Sequence, residues 1–422
     1  MTTTAGSDLN QIDLSDLSLW EDGPPHEVFE RLRNEQPVHW SPLEGFAHEE
    51  GFWSVTRFEE IASVGRDFET FSSEMGGILA VNQFLPDDQI PEDAPDEPLY
   101  FMRMMLIAQD PPRHDRLKAL VQKAFTPKRS LDHADRIREI VNLVYDNALE
   151  RHPDGKIDLV QDVGVYVPAM VIGDMLGAPR EDADKLVDWT NRTTAFEDPR
   201  VVGDMHDTWT ALKEVFEYVW NLVEARGAER QDDLTSALLD AEVDGEKLTA
   251  EEICMFWFLL MVAGNDSTRA TFCSGYLSLL EDPEQMELVK SGAVPPEQVV
   301  EEFVRVHPAF AYMRRTATKD TEIAGQPIAE GDKVLMWYVS GNRDESVFDD
   351  PHHFDVGRTL NEHQGFGGGG RHFCLGAGLA RLEMKIWLEE TLRRFPEMRL
   401  DGEPTRLSST FLNQYRTIPV AV

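Results

Sequence analysis

The chain has 422 residues, 41% of them hydrophobic, with 9 tryptophans and 22 phenylalanines, enough apolar mass for a large core. Its 77 acidic residues outnumber 40 basic ones for a net charge of −37, a field that repels nucleic acid and anionic membrane surfaces and so excludes generic binding to either. Three cysteines in this length fit a reducing cytosol rather than a disulfide scaffold.

The amino-terminal stretch MTTTAGSDLNQIDLSDLSLW has neither a basic start nor an apolar core, so neither a signal peptide nor a membrane anchor is expected, and a cytoplasmic location is. Pro37-Val-His-Trp-Ser and Gly51-Phe-Trp-Ser-Val-Thr read as short strands, with a helix from about Phe58. Pro86 to Pro98 carries four prolines and six acidic residues, and reads as a solvated loop or a lid over a pocket. From Arg113 to about Lys290 the apolar spacing is almost wholly helical.

Within that region Thr249-Ala-Glu-Glu has capping-box spacing and opens a helix that runs to about Leu280. Ile253 to Ala263 is apolar all round, so this helix crosses the interior, but the run is too short to span a bilayer. Cys254 and Cys273 lie on it 19 residues apart, about 28 Å, too far to bridge. Its middle, Ala263-Gly-Asn-Asp-Ser-Thr268, is a polar notch in an apolar helix, which either marks an exit to solvent or a place where a small ligand meets proton donors. Pro295-Pro-Glu begins an amphipathic helix with Glu302 and Arg305 on one face. Glu322 to Ile328 and Lys333 to Val339 read as a hairpin. A last helix spans Leu375 to about Phe395, and extended segments follow. The class is mainly α with a minor β part, without internal repeats.

The stretch Phe366 to Arg381, FGGGGRHFCLGAGLAR, carries the chemistry. A glycine loop ahead of a helix can cradle phosphate, but that needs a preceding strand and a Lys-Ser/Thr or GxGxxG register, neither of which is present. Cys374 at the first turn of the following helix suits a thiolate, and a single thiolate suits haem iron.

FGGGGRHFCLG resembles the haem-ligand loop of the cytochrome P-450 family, and four further blocks follow in family order. Ala263 to Thr268 resembles the oxygen-activating segment, Glu302-Phe-Val-Arg305 the ExxR pair, Phe354 to Arg358 the segment that completes its triad, and Asp110 to His114 the start of the haem-propionate helix. The resemblance implies one domain over 1–422, β-rich near 37–56, 315–340 and 400–422 and helix-rich near 100–300 and 375–395, with haem b between the central and cysteine helices. Cys374 would be the iron ligand. Asp266, Ser267 and Thr268 would relay protons to dioxygen. His114, Lys118, Arg315 and His372 would meet the propionates, and Phe366, Gly376, Ala263 and Gly264 would flank the haem. Glu302, Arg305 and Arg358 would form a structural lock.

Family geometry puts Phe84 (with the stretch from Gly76), Leu259, Val262, Ala311, Met313, Phe411 and Leu412 on the substrate wall. The resemblance further implies a monomeric monooxygenase hydroxylating a hydrophobic, terpenoid or steroid-like lipid. With no flavin or NAD(P) segment in the chain, electrons would come from a ferredoxin and its NAD(P)H-dependent reductase, docked near Arg371, Lys123 and Arg343. Two departures from the common pattern are Ser267 where threonine is usual and an extra glycine between Phe366 and Cys374. A peroxide-driven fatty-acid peroxygenase and a non-catalytic haem sensor are the alternatives on this fold.

Overall fold

A computed structural model describes residues 9–43, 50–80, 100–122, 133–195, 197, 198, 200, 205–243 and 245–422. The Pro86–Pro98 loop, Phe84 and Lys123 lie outside the described residues. The organising element is the helix Ala250–Glu281, hereafter the central helix, 32 residues and about 48 Å long. It opens on the expected capping box: Glu252 N–H donates to Thr249 Oγ1 at 3.1 Å and Thr249 N–H to Glu252 Oε2 at 3.0 Å. Helices Tyr166–Leu176, Met205–Ala228 and Pro296–Val306 pack around it. Two of its glycines permit close approach: a Cβ on Gly264 would stand 3.2 Å from Ile172, and one on Gly275 would collide with the Phe303 ring at 2.2 Å. Phe272 stacks on Trp387 with ring centres 3.8 Å apart, joining the central helix to the last long helix, Ala377–Arg394.

The main sheet has five strands in the order Val38–Pro42, Gly51–Val55, Lys333–Trp337, Tyr312–Ala317, Phe71–Ser72. This corrects the expected hairpin. Lys333–Trp337 pairs antiparallel with Tyr312–Ala317 and parallel with Gly51–Val55, whereas Thr321–Ile323 closes on Gln326–Ile328 alone. The reason is local: Ala324 and Gly325 both take positive φ, +49° and +84°, which closes a two-residue turn and leaves the later strand free. Lys333–Trp337 is buried along its whole length, as an inner strand must be.

The middle of the chain is also less uniformly helical than its spacing predicts. Lys156–Asp158 forms a strand that pairs with the tail strand Pro419–Ala421, and Glu242–Val243 pairs with Glu246–Lys247. Strands of two or three residues are too short for alternation to register. Leu159–Leu176 is the one described stretch long and apolar enough to cross a bilayer, and 78% of it is buried within the protein.

Candidate functional site

The central helix and the segment before Ala377–Arg394 enclose a cavity of about 240 Å³. The loop Gly367–Gly370 reaches it by a backbone only glycine adopts readily, with φ of +92°, +94° and +82° at Gly367, Gly369 and Gly370. A Cβ on Gly370 would also meet the Gly65 carbonyl at 2.6 Å. Cys374 N–H donates to the Phe366 carbonyl at 3.0 Å, which fixes the turn.

The helix starts later than the sequence suggests, at Ala377 with Gly376 as its cap, so Cys374 precedes the first turn. Its sulfur still faces the free amides of that helix end. Enclosure by protein raises the thiol pKa, while the Gly376 and Ala377 amides, Arg381 and Lys118 oppose that rise and favour thiolate. Phe366 lines the cavity beside it, its ring 4.4 Å under the Arg381 guanidinium.

Across the cavity, Ala263, Gly264, Ser267, Thr268 and Thr271 line its wall. Asp266 does not. It is fully buried on another face of the helix, where Arg269 donates to one carboxylate oxygen and the Thr194 hydroxyl to the other. Burial raises its pKa, against the pull of Arg269 and Thr194. The Ser267 hydroxyl donates back to the Ala263 carbonyl at 2.6 Å. Arg269 carried a signal, since it follows Asp266 by three residues; Thr194, on the helix Ala183–Thr194, carried none.

The predicted basic residues converge. His114, Lys118, Arg315 and His372 all line the cavity, with the two imidazole centres 4.4 Å apart. Ser73, which sequence reasoning missed, has its hydroxyl 3.2 Å from His372 Nε2. Burial, then Arg315, His114 and Lys118, holds the His372 pKa down to about 2; burial likewise lowers those of His114, Lys118 and Arg315. Lys118 donates to the Arg371 carbonyl and Arg315 to the Arg314 carbonyl at 2.8 Å, but neither forms an ion pair among the described residues. Asp115 meets His114 Nδ1 at 3.0 Å, but Lys118 and Arg315 enter the cavity with no carboxylate paired to them among the described residues, which suits an anion there. The two carboxylates of an iron porphyrin meet that need, and Cys374 supplies its single thiolate, so the residues present fit haem.

The lock residues also meet. Glu302 and Arg305 are fully buried and joined by bonds of 2.7 and 2.8 Å, with Arg358 Nε 3.5 Å from Glu302.

The substrate wall is partly corrected. Leu259 and Met313 line the cavity, but Val262, Ala311, Phe411 and Leu412 do not; Leu106, Ile107, Phe256, Leu260, Ala309 and Phe310 take their place. Phe411 stands behind Phe310, ring centres 5.0 Å apart, and packs with Leu412 and Ala311 in a separate core cluster. Arg343 is corrected too. It is 6% exposed, donates to the Val306 carbonyl, and cannot meet a docking protein. Arg371 is half-buried, paired with Asp115 and stacked on Phe68.

The chain matches the sequence family described as Cytochrome P450 over residues 80–291 and 296–416. It is 38% identical over 417 residues to the methyl-branched lipid omega-hydroxylase of Mycobacterium tuberculosis, covering 97% of this chain and 94% of that one. It is 34% identical to the steroid C26-monooxygenase of Rhodococcus jostii, covering 97% and 84% respectively. A Mycobacterium marinum cytochrome P450 solved in complex with pseudoionone aligns with a TM-score of 0.88 at 33% identity, covering 99% of this chain and 100% of that one.

Proposed function

The chain belongs to the cytochrome P450 family and is a haem-dependent monooxygenase that hydroxylates lipophilic compounds; from this we propose that its substrate is a methyl-branched or steroid-like aliphatic chain, admitted end-on and hydroxylated near its terminus. The observation that carries this reading is the wall of the cavity beyond the thiolate. Leu106, Ile107, Phe256, Leu259, Leu260 and Phe310 are all apolar, so shape rather than charge orients what enters. Two relatives are named for a methyl-branched lipid and a steroid, which agrees with such a wall.

Haem held by a thiolate supplies dioxygen activation, because electron donation from sulfur favours O–O cleavage. The residues of this chain divide the remaining work. Cys374 would hold the iron, with the Gly376 and Ala377 amides steadying its charge. Lys118 and Arg315 would neutralise the propionates, and the imidazoles of His114 and His372, held uncharged by burial, would hydrogen-bond to them. Ser267 and Thr268 line the cavity with their hydroxyls; Ser267 delivers its proton by turning it from the Ala263 carbonyl to the cavity, and Asp266 resupplies it. The apolar wall excludes water that would divert protons. Electrons come from a ferredoxin and its reductase, docking on the Cys374 face at Arg371 and Phe373, which is 44% exposed. The protein works as a cytoplasmic monomer of one domain.

Reduced protein treated with carbon monoxide should give the red-shifted absorbance of a thiolate-ligated haem. A spin-state titration with branched fatty acids, sterols and unbranched fatty acids tests the substrate. Branched chains and sterols should displace the iron-bound water and yield terminal alcohols. A response to unbranched acids alone would refute the assignment.

A further inference from the structure

Arg343 is 6% exposed and packs against the end of the helix Pro296–Val306. Of its five side-chain donors one is used, in the bond from Nη1 to the Val306 carbonyl at 3.1 Å. A helix-end carbonyl carries a partial charge and offsets little of the cost of burying a guanidinium. Glu302 acts on Arg343 through space, but both Glu302 oxygens hold Arg305. Other bases gather at the same place. His307 follows Val306 in the chain. Asn413 fixes Arg406 beside it: Asn413 Oδ1 accepts from Arg406 Nη1 at 2.9 Å, and its Nδ2 donates to the Pro308 carbonyl at 3.2 Å. Arg406 also lies against Gly23, where a Cβ would stand 2.8 Å from the guanidinium carbon. Three residues on, His26 opens the helix His26–Glu35, with Nδ1 buried and without a hydrogen-bond partner among the described residues. Its ring centre is 6.2 Å from that of His352. Burial, then Arg343, His352, Arg406 and His307, push the His26 pKa well below its ordinary value; burial, then Arg343 and Arg406, do the same to His307. The acids near by are committed or peripheral. Arg33 holds Glu345 at 2.9 and 3.0 Å, Glu30 stands 3.9 Å from His352, and Glu281 forms no ion pair with Arg406 among the described residues. In a chain of net charge −37, this cluster stands against the overall field.

We propose that Arg343, Arg406, His26 and His307 form a binding site for a small oxyanion of the phosphate class, between the start of helix His26–Glu35, the end of helix Pro296–Val306 and the tail strand Thr405–Arg406. Arg343 and Arg406 supply the charge, and the two imidazoles supply neutral N–H donors. Donors converging from several segments suit a tetrahedral group, with oxygens on every side, better than a planar carboxylate. The free amides in the first turn of His26–Glu35 add to the positive potential. The site is separate from the thiolate cavity, which none of these four residues lines. The bound anion joins three segments that are far apart in the chain, so its effect is read in stability.

Titration calorimetry on the haem-loaded protein, in chloride buffer at constant ionic strength, reads the binding directly. One inorganic phosphate should bind per chain, and Arg343→Gln should weaken it at least about tenfold. Melting temperature gives a second reading. Arg343→Gln removes a buried charge and keeps a donor for the Val306 carbonyl, so in chloride it should melt at or above the parent. It should also lose the rise that phosphate gives the parent, about 2 °C at ten times Kd. If Arg343→Gln does not fold, Arg406→Gln, at a half-buried strand position, carries the same test. Glycerol 3-phosphate as a second probe separates the two sources of the group: tighter binding than inorganic phosphate assigns the site to an ester, weaker binding to the free ion. Acetate binding as tightly as phosphate overturns the ligand class. The site itself is overturned by the absence of saturable heat from either phosphate, or by equal affinity in parent and variants. A variant that melts lower by the same amount with and without phosphate marks a purely structural arginine and overturns it too.

Discussion

Two helices of this chain bury an acid three residues ahead of an arginine, and the two pairs differ in how fully they are satisfied. In Glu302–Arg305 the arginine makes five hydrogen bonds: two to Glu302, and others to the carbonyls of Asn342, Pro351 and His353. Glu302 also accepts from Asp355 N–H at 2.9 Å and Asn361 Nδ2 at 3.0 Å. In Asp266–Arg269 the arginine donates to Asp266 and Asn191 and leaves Nε unmatched, while the acid takes a hydroxyl from another helix. The same spacing thus yields a rivet in one place and a latch in the other. A saturated pair has no second arrangement of similar energy, whereas an unsaturated pair does.

The largest effect should come from breaking the rivet. Arg305→Ala leaves Glu302 buried and unpaired, at about 3–5 kcal/mol, a large fraction of the stability of an ordinary domain. Expression should yield little folded, haem-containing protein by circular dichroism and visible absorbance. Recovery at the parent level would erase the distinction drawn above. At the latch, Asp266→Asn keeps shape and should keep the fold, with product formation falling on the order of 100-fold, as loss of a proton donor does. Steady-state product analysis beside a melting curve separates the two effects.

Glu301, next to Glu302, provides an intermediate case. Burial alone would raise its pKa, but Arg381 at 2.6 and 2.9 Å and His363 at 3.0 Å hold it at about 2. An acid depressed in the folded state lends stability that is whole above its unfolded pKa, about 4.3, and is lost as pH falls towards 2. Melting curves of the parent and Glu301→Gln should therefore differ by roughly 2 kcal/mol above about pH 5 and converge in acid. The smallest effect is expected from Ser267→Thr. The added methyl restricts the rotamer, and product per electron pair should rise, by less than about twofold. A fall would mean that the serine back-bond to Ala263 is itself required.

Much of this site was legible because local pattern and chemistry coincide. Cys374 among glycines, the capping box at Thr249 and the pair Glu302–Arg305 each declare themselves within a few residues. That Val262 and Asp266 lie off the cavity was also readable from the helix period. The cavity stripe on the central helix runs through Phe256, Leu259, Leu260, Ala263, Gly264, Ser267, Thr268 and Thr271. Val262 and Asp266 stand four apart on a neighbouring row, turned away by the helical period itself.

Other features had no local trace. Thr194 reaches Asp266 across 72 positions, and Phe310, which lines the cavity where its neighbour Ala311 packs in a core cluster, is bridged to Leu412, about a hundred positions on. The partner of Lys333–Trp337 was likewise set by a turn elsewhere, at Ala324–Gly325. Long-range pairing leaves its mark on the composition of a strand, not on the identity of its neighbour.

The four bases around the cavity have a consequence for the protein before maturation. Burial presses the pKa values of His114, Lys118, Arg315 and His372 downward, and a dianionic cofactor bound among them would offset the cost of burying the cations. Ligand that binds only the native state shifts the folding equilibrium by mass action. Chains synthesised faster than porphyrin arrives will populate opened forms and be cleared by proteases. The folded fraction of this protein should thus rise with haem supply, which melting curves with and without added haem would record.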